Sequence, residues 1–286
     1  MSKKAAQTGL GPTVLVAIDQ LFPIENRGTV DENAFKILPS SMKLLVNVLK
    51  FKPLLNWMIK SSEKSLPGIW AGMICRKSFL KDKLKQYKDD INSILNLGSG
   101  YDTSLMAYND YKIFEVDQIY NVSDKIKLIE KNKISLPNNY HIISIDFDQE
   151  DLSNKRASEG FSLESPNFFI LEAVSQYLSN GAIQSLFKFL SRAANGSHLV
   201  FTYVWRDFID GSNLMNWRQA YDKYVLKYKI WHFGLNPDEV KEFLLQFDWE
   251  LIEDKSYEDL FDTYVRPLNR GLQSTSIEKI IYTRKK

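Results

Sequence analysis

The stretch SILNLGSGYDTS, residues 93–104, decides how the rest of the chain is read. An apolar run at 93–97 stops at Gly98-Ser99-Gly100. A short run of that kind reads as a strand buried on both faces. The glycines read as a turn where bare backbone approaches a ligand without a Cβ in the way. In an open α/β sheet, the turn after the first strand is where a nucleotide-like ligand binds. The next strand-like run, KIFEVD at 112–117, ends in acid. Asp117 follows Gly98 by nineteen positions, the spacing at which a carboxylate meets ribose hydroxyls. Glu115 shares a strand face with Asp117 and is the alternative ribose ligand. Dinucleotides and S-adenosylmethionine both fit this arrangement. A dinucleotide fingerprint expects Gly or Ala where Thr103 stands, and Asp102 would repel a pyrophosphate. S-adenosylmethionine has no phosphate and carries a cationic amino group, so charge favours the methyl donor.

Outward from this turn the chain divides at about residue 90. Residues 1–90 read as a helical cap broken at Pro12, Pro23, Pro39, Pro53 and Pro67-Gly68, closing with a helix over 69–88. Residues 91–286 alternate short apolar runs with amphipathic segments. Strands are expected at 93–97, 112–116, 141–145, 167–171 and 198–204, with helices between them, notably over 180–194. That alternation predicts an α/β fold with a doubly wound, Rossmann-like parallel sheet. An aromatic-rich insertion occupies about 205–235, and a helix follows near 237–247. Two late β-like runs, 249–253 and 277–282, predict an antiparallel hairpin at the sheet edge.

Composition narrows the classes further. The 286 residues are 44% hydrophobic and 25% charged, ordinary values for a globular chain. The single cysteine, Cys75, excludes a disulfide scaffold or a cysteine-built metal site, and three separated histidines disfavour a histidine-built one, so no metal is expected. No apolar run reaches the length of a membrane span. Asp19 interrupts the N-terminal apolar run, so that segment is read as mature protein, and a cytoplasmic location is expected. Between residues 36 and 88, eleven lysines and Arg76 face only Glu63 and Asp82. Such a stretch can mark a nucleic-acid or membrane surface. The plainer reading is a solvated helical face, so a nucleic-acid partner is disfavoured.

LNLGSGYDTS followed by FEVDQ resembles the leucine carboxyl methyltransferase family, which includes bacterial small-molecule O-methyltransferases of polyketide-type pathways. Further matches follow in order. MICRKSFLKDKL resembles the family helix that carries a lone arginine, here Arg76. SIDFDQEDL resembles its acidic run after the third strand. FFILEAVSQYLSNGAIQSLFKFL resembles its EGvlmYL segment, with Ala173 in the glycine position and Glu172 and Tyr177 retained. Ser104 replaces the family's arginine in LGxGxDTR. The resemblance implies S-adenosyl-L-methionine as cofactor. Arg76 would hold the donor's carboxylate, Gly98 and Gly100 its amino-acid portion, and Asp117 its ribose. Asp146 and Phe147 would face the adenine, and Glu172 would accept from the donor's amino group.

The implied function is O-methylation of a hydroxyl or carboxyl on a small-molecule partner, with protein C-terminal carboxyl methylation or tRNA modification as alternatives. His141 and His198 sit inside expected strands and read as structural. His232 is the candidate general base for a hydroxyl acceptor. Tyr203, Trp205, Trp217 and Trp231 are candidate acceptor-pocket residues. Thr13, Val16 and Leu21 join them from the cap, and Arg206 and Arg218 are candidates for an acceptor carboxylate.

Overall fold

The computed structural model describes residues 8–150, 152 and 160–286. Among the described residues four α-helices come first: α1 (Leu10–Asp19), α2 (Ser40–Val48), α3 (Lys52–Ser65) and α4 (Ile69–Gln86). Pro53 sits in the first turn of α3, where a missing N–H costs nothing. Gly68, at φ +77°, turns the chain into α4, and a Cβ there would strike the Ser274 backbone at 2.6 Å.

The sheet region follows with strands and two α-helices among the described residues: β1 (Ser93–Leu97), β2 (Lys112–Asp117), α5 (Ile119–Lys131), β3 (Tyr140–Ser144), β4 (Asn167–Leu171), α6 (Asn180–Leu190) and β5 (His198–Val204). The chain ends with α7 (Pro237–Leu245), β6 (Trp249–Ser256), α8 (Tyr257–Tyr264) and β7 (Glu278–Lys285). Side chains cap the starts of α6, α7 and α8. Ser179 accepts from the Ala182 N–H, and Asn236–Glu239 and Ser256–Asp259 form capping boxes.

β1, β4 and β5 are buried at every position, so the sheet must be covered on both faces. Alternation sends Ile94, Phe168, Ile170 and Val200 to one face, against α1, α4 and α8. It sends Leu95, Leu97, Phe169, Leu171 and Phe201 to the other, against α6 and α7. The seven strands run β3-β2-β1-β4-β5-β7-β6, parallel except where β7 pairs antiparallel with β5 and β6. The chain reverses direction across the sheet between β1 and β4, and a crevice opens there at the strands' carboxyl ends. The five parallel strands match their expected positions to within one residue. The two late strands do not form a simple hairpin. α8 lies between them, and β7 enters the sheet between β5 and β6 because Ile280, Ile281 and Tyr282 need cover on both faces. Among the described residues no helix is long and apolar enough to cross a membrane.

His198, on β5, is 1% exposed, stacks on Tyr87 and shares a hydrogen bond with the Tyr282 hydroxyl at 2.8 Å. Burial, helped by Arg284, lowers its pKa to about 4. The native ring is therefore neutral where an unfolded histidine takes a proton. This contribution to stability is complete above pH 6.5 and is lost as pH falls towards 4. Unfolding free energy should fall by about 2 kcal/mol from pH 7 to pH 5 through this group. Denaturant titrations of the wild type and His198→Phe should show a flatter pH dependence in the variant; parallel curves would remove His198 as the cause.

Candidate functional site

The loops after β1 and β4 flank the crevice, and α1 covers it. Together they enclose a cavity of about 360 Å³. Its polar end is built from backbone turns. Gly98, at φ +78°, donates to Val116 O at 2.7 Å. A Cβ on Gly98 would lie 2.3 Å from the Val174 side chain, so this glycine is required by the neighbouring loop. Gly100, at φ +53°, donates its N–H to Asp117 Oδ2 at 2.6 Å. The main chain of Gly9 lies against Gly100, which brings the start of α1 down onto the turn.

Asp117 is 3% exposed and lines the cavity. Its Oδ1 accepts from Gln118 N at 2.7 Å and Asn121 Nδ2 at 2.9 Å. Burial raises its pKa, while the Gly100, Asn121 and Gln118 donors oppose that rise. Three donors leave one of about four acceptor positions for a ligand. Glu115, by contrast, does not line the cavity. It is fully buried lower on β2, where Lys125 Nζ pairs with it. Asp117 is thus the acid of the pair that lines the cavity.

α4 carries two adjacent cations into the cavity. Arg76 Nε lies 3.2 Å from Glu172 Oε1, and Nη1 lies 2.8 Å from Glu278 Oε2. Lys77 Nζ lies 2.9 Å from both Asp102 Oδ2 and Glu172 Oε2. Burial pulls the Arg76 pKa down, but Glu278, Tyr257 and Glu172 hold it above its ordinary value. Burial likewise opposes the charge of Lys77, and Asp102 and Glu172 overcome it. Asp102 is held below the usual carboxylate range, since Lys77 and the Ser104 N–H outweigh its burial. Asp102 is therefore no bare acid beside the turn. Lys77 and Glu278 are site residues that the sequence reading missed.

The other half of the cavity is apolar and aromatic: Leu15, Val16, Ile69, Trp217, Tyr224 and Trp231. Trp217 donates to Pro67 O at 2.9 Å, which fixes the insertion against the start of α4. Thr13 lines the cavity as expected, whereas Leu21 does not.

Several expected residues lie elsewhere. His232 is exposed and lines a separate pocket with Asn180, Gln184 and Arg206. Only its backbone serves the site, donating to Gln176 O at 2.7 Å and so tying the insertion to the loop after β4. Tyr203 is on the opposite sheet face in the α6–α7 core, because alternation along β5 turns it there, and its hydroxyl meets Asp254. Trp205 packs in the insertion's own cluster, outside the cavity lining. Phe147 is buried in the core beneath α6, and Asp146 accepts from the Asp148 N–H at 3.1 Å; neither lines the cavity. Arg206 pairs with Glu239 and Arg218 with Asp222, both at the surface.

A family model described as leucine carboxyl methyltransferase matches residues 9–191, more than half of the chain. No curated protein matches it. Among solved structures, a candidate methyltransferase from Thermobifida fusca is similar at TM-score 0.58 and 15% identity, over 94% of this chain and 97% of its own. A DUF574 family protein from Streptomyces avermitilis is similar at TM-score 0.55 and 11% identity, over 95% of this chain and 97% of its own. At such identities the likeness bears on the fold, and the fold is that of Rossmann-like methyltransferases.

Ala173 stands at φ +55°, with its N–H donating to Thr202 Oγ1 at 2.8 Å. A left-handed alanine costs about 1–2 kcal/mol that glycine avoids. Ala173→Gly should raise the unfolding free energy by about 1 kcal/mol, net of glycine's looser unfolded state. An unchanged or lower denaturation midpoint would show that the turn carries no such strain.

Proposed function

The chain belongs to the leucine carboxyl methyltransferase family, whose methyl donor is S-adenosylmethionine, and on that premise we propose that it methylates a hydroxyl group of a small, uncharged, largely apolar molecule. The observation that carries this reading is the division of one cavity into two chemistries. Asp117, Gly98, Arg76 and Glu172 stand at one end, and Trp217, Tyr224 and Trp231 at the other.

The residues present suit the donor. Gln118 Oε1 and Gln176 Oε1 belong to cavity-lining residues, are buried, and have no partner, so each is an acceptor awaiting a ligand donor. Asp117 retains an acceptor position for a ribose hydroxyl. Arg76 has five N–H donors and presents two of them to Glu172 and Glu278, leaving others for a carboxylate. Glu172 would receive the donor's ammonium. When bound, the donor supplies a methyl group on a sulfonium, which is displaced in line by the acceptor's nucleophile. The protein's task is alignment and exclusion of water. Residues 1–90 serve as the cap in this reading, with α1 as the wall facing the sheet.

Charge supports a neutral acceptor over a carboxylate. Among the described residues the cavity is lined by Asp31, Asp102, Asp117, Glu172 and Glu278 but only two cations, Arg76 and Lys77. Both cations are already engaged by carboxylates. An anionic acceptor would enter against a surplus of negative charge. No histidine lines the cavity. Tyr177 is held protonated because burial raises its pKa. The acceptor's own ionisation then governs the rate.

Two outcomes are expected. S-adenosylhomocysteine should raise the melting temperature of the wild type while NAD does not, because a ligand that binds only the native state stabilises it by mass action. Asp117→Asn should weaken S-adenosylhomocysteine binding about tenfold or more, the loss of one charge-assisted hydrogen bond. Stabilisation by NAD alone would reject the donor assignment. For the acceptor, a panel of simple phenols and of aryl carboxylic acids should yield methyl ethers and no esters. With a phenol, kcat/KM should climb with pH towards the acceptor's own pKa of about 10. His232→Ala should leave that profile unchanged. Ester products with a flat profile would make the enzyme a carboxyl methyltransferase.

A further inference from the structure

The part of the lysine-rich stretch that precedes α4, residues 36–64, is not used by the cavity. It carries the exposed faces of the consecutive helices α2 and α3. Leu44, Leu45, Val48 and Phe51 are 66%, 41%, 48% and 67% exposed, and Trp57 is 65% exposed. Leu44 and Val48, one turn apart on α2, make one stripe, and Phe51 follows it in the connection to α3. On α3, Pro53, Trp57, Lys60 and Lys64 make a second, all exposed. The inner positions Val46, Leu49 and Leu55 are buried in the core, so these outward side chains are surplus to the fold. Lys50, Lys52, Lys60 and Lys64 are exposed, and none is paired with an acid among the described residues. Glu63, the one acid between residues 36 and 64, is turned inward, where it accepts from Gly68 N at 2.9 Å.

We propose that the exposed faces of α2 and α3, with the connection between them, dock the protein on an anionic lipid surface. An interfacial helix sinks aromatic and aliphatic side chains to the headgroup–acyl boundary while lysines reach the phosphates. This segment supplies both: Phe51 and Trp57 as wedges, and four ammonium groups without an acidic partner among the described residues. Lysine stems are long enough to leave the aromatic rings in the acyl region and keep the charges at the headgroups. A second copy of the chain fits this face less well. A two-fold contact would set the same lysines against each other without carboxylates between them. RNA would leave the aliphatic stripe of Leu44, Leu45 and Val48 in water. The docking face adjoins the site through α1, which packs on α2 and forms one wall of the cavity.

Cosedimentation with vesicles tests this. The full chain should partition onto phosphatidylcholine vesicles containing about a third phosphatidylserine at least about tenfold more than onto phosphatidylcholine alone. Raising the salt to about 0.5 M should cut that binding severalfold. Trp57 emission should shift to the blue on binding, and Trp57→Phe should remove the shift. Two variants separate the components: Phe51→Ser with Trp57→Ser, and Lys50→Gln with Lys52→Gln and Lys60→Gln. Each should reduce partitioning about tenfold or more while melting as the wild type does, since every changed side chain is exposed. The melting curves keep a folding defect from passing as lost binding. Equal partitioning onto neutral and anionic vesicles, or none onto either, overturns the proposal. So does a concentration-dependent dimer that Trp57→Ser dissociates, which would make this face a contact between copies. Salt-sensitive RNA binding that survives in the double serine variant, with no vesicle binding by the wild type, would also overturn it.

Discussion

Two cations on one turn of α4 fix how the N-terminal helices, the sheet and the cavity relate. Arg76 and Lys77 meet three carboxylates: Asp102 after β1, Glu172 after β4 and Glu278 at the start of β7. The partners come from three separate parts of the sheet, up to 202 positions away in sequence. Buried ion pairs contribute little net stability once desolvation is counted, but an unpaired member is costly. The cluster therefore acts mainly on arrangement. α4 cannot slide along the sheet by one turn without leaving two cations and three carboxylates unmatched. Thr202 Oγ1 and the Tyr257 hydroxyl both donate to Glu278, at 2.6 Å and 2.7 Å, so β5 and α8 are held by the same group.

That cluster also marks where sequence reading ended. The strands β1, β4 and β5 were legible because a strand buried on both faces must be a short apolar run bounded by turns, and each of these is. The glycine turn and Asp117 were legible because their relation is local, Gly100 and its partner lying seventeen positions apart. Arg76 and Glu172 were legible only through resemblance. Lys77 looked like one more lysine in a basic helix, and Glu278 like a polar residue beside a late strand. Nothing in their neighbourhoods shows that they share partners. The antiparallel edge was half legible. Apolar alternation located β6 and β7, but insertion of β7 between β5 and β6 is a matter of pairing, which composition does not encode.

His232 and the aromatic insertion show the same limit differently. A titratable residue beside an aromatic cluster is a reasonable candidate base by type. The chain, however, runs past the cavity at this point with its backbone inward, and His232 N–H closes on Gln176 O while the ring turns to solvent. Of the four aromatic candidates, Trp217 and Trp231 line the cavity and Tyr203 and Trp205 do not. The strand period explains Tyr203: on β5 its neighbours in sequence face opposite cores. Trp217 reaches the cavity because its indole is anchored to Pro67 O, in the break before α4. The same break, through Gly68, sets the direction in which Arg76 and Lys77 enter.

The wall of the cavity is thus positioned from the same place as its charges. Pro67 receives Trp217, Gly68 turns the chain, and two helical turns later Arg76 and Lys77 reach the sheet. A shift in this break would move the apolar wall and the ionic cluster together. Such coupling suits a site whose chemistry rests on alignment, because distance between a donor methyl and its nucleophile matters more there than the strength of any base. It also explains the tolerance for a left-handed Ala173. The loop after β4 must deliver Glu172 to the cations and Val174 to the glycine turn within three residues, and Thr202 holds the intervening N–H. The backbone strain at Ala173 is offset by the contacts made on either side of it.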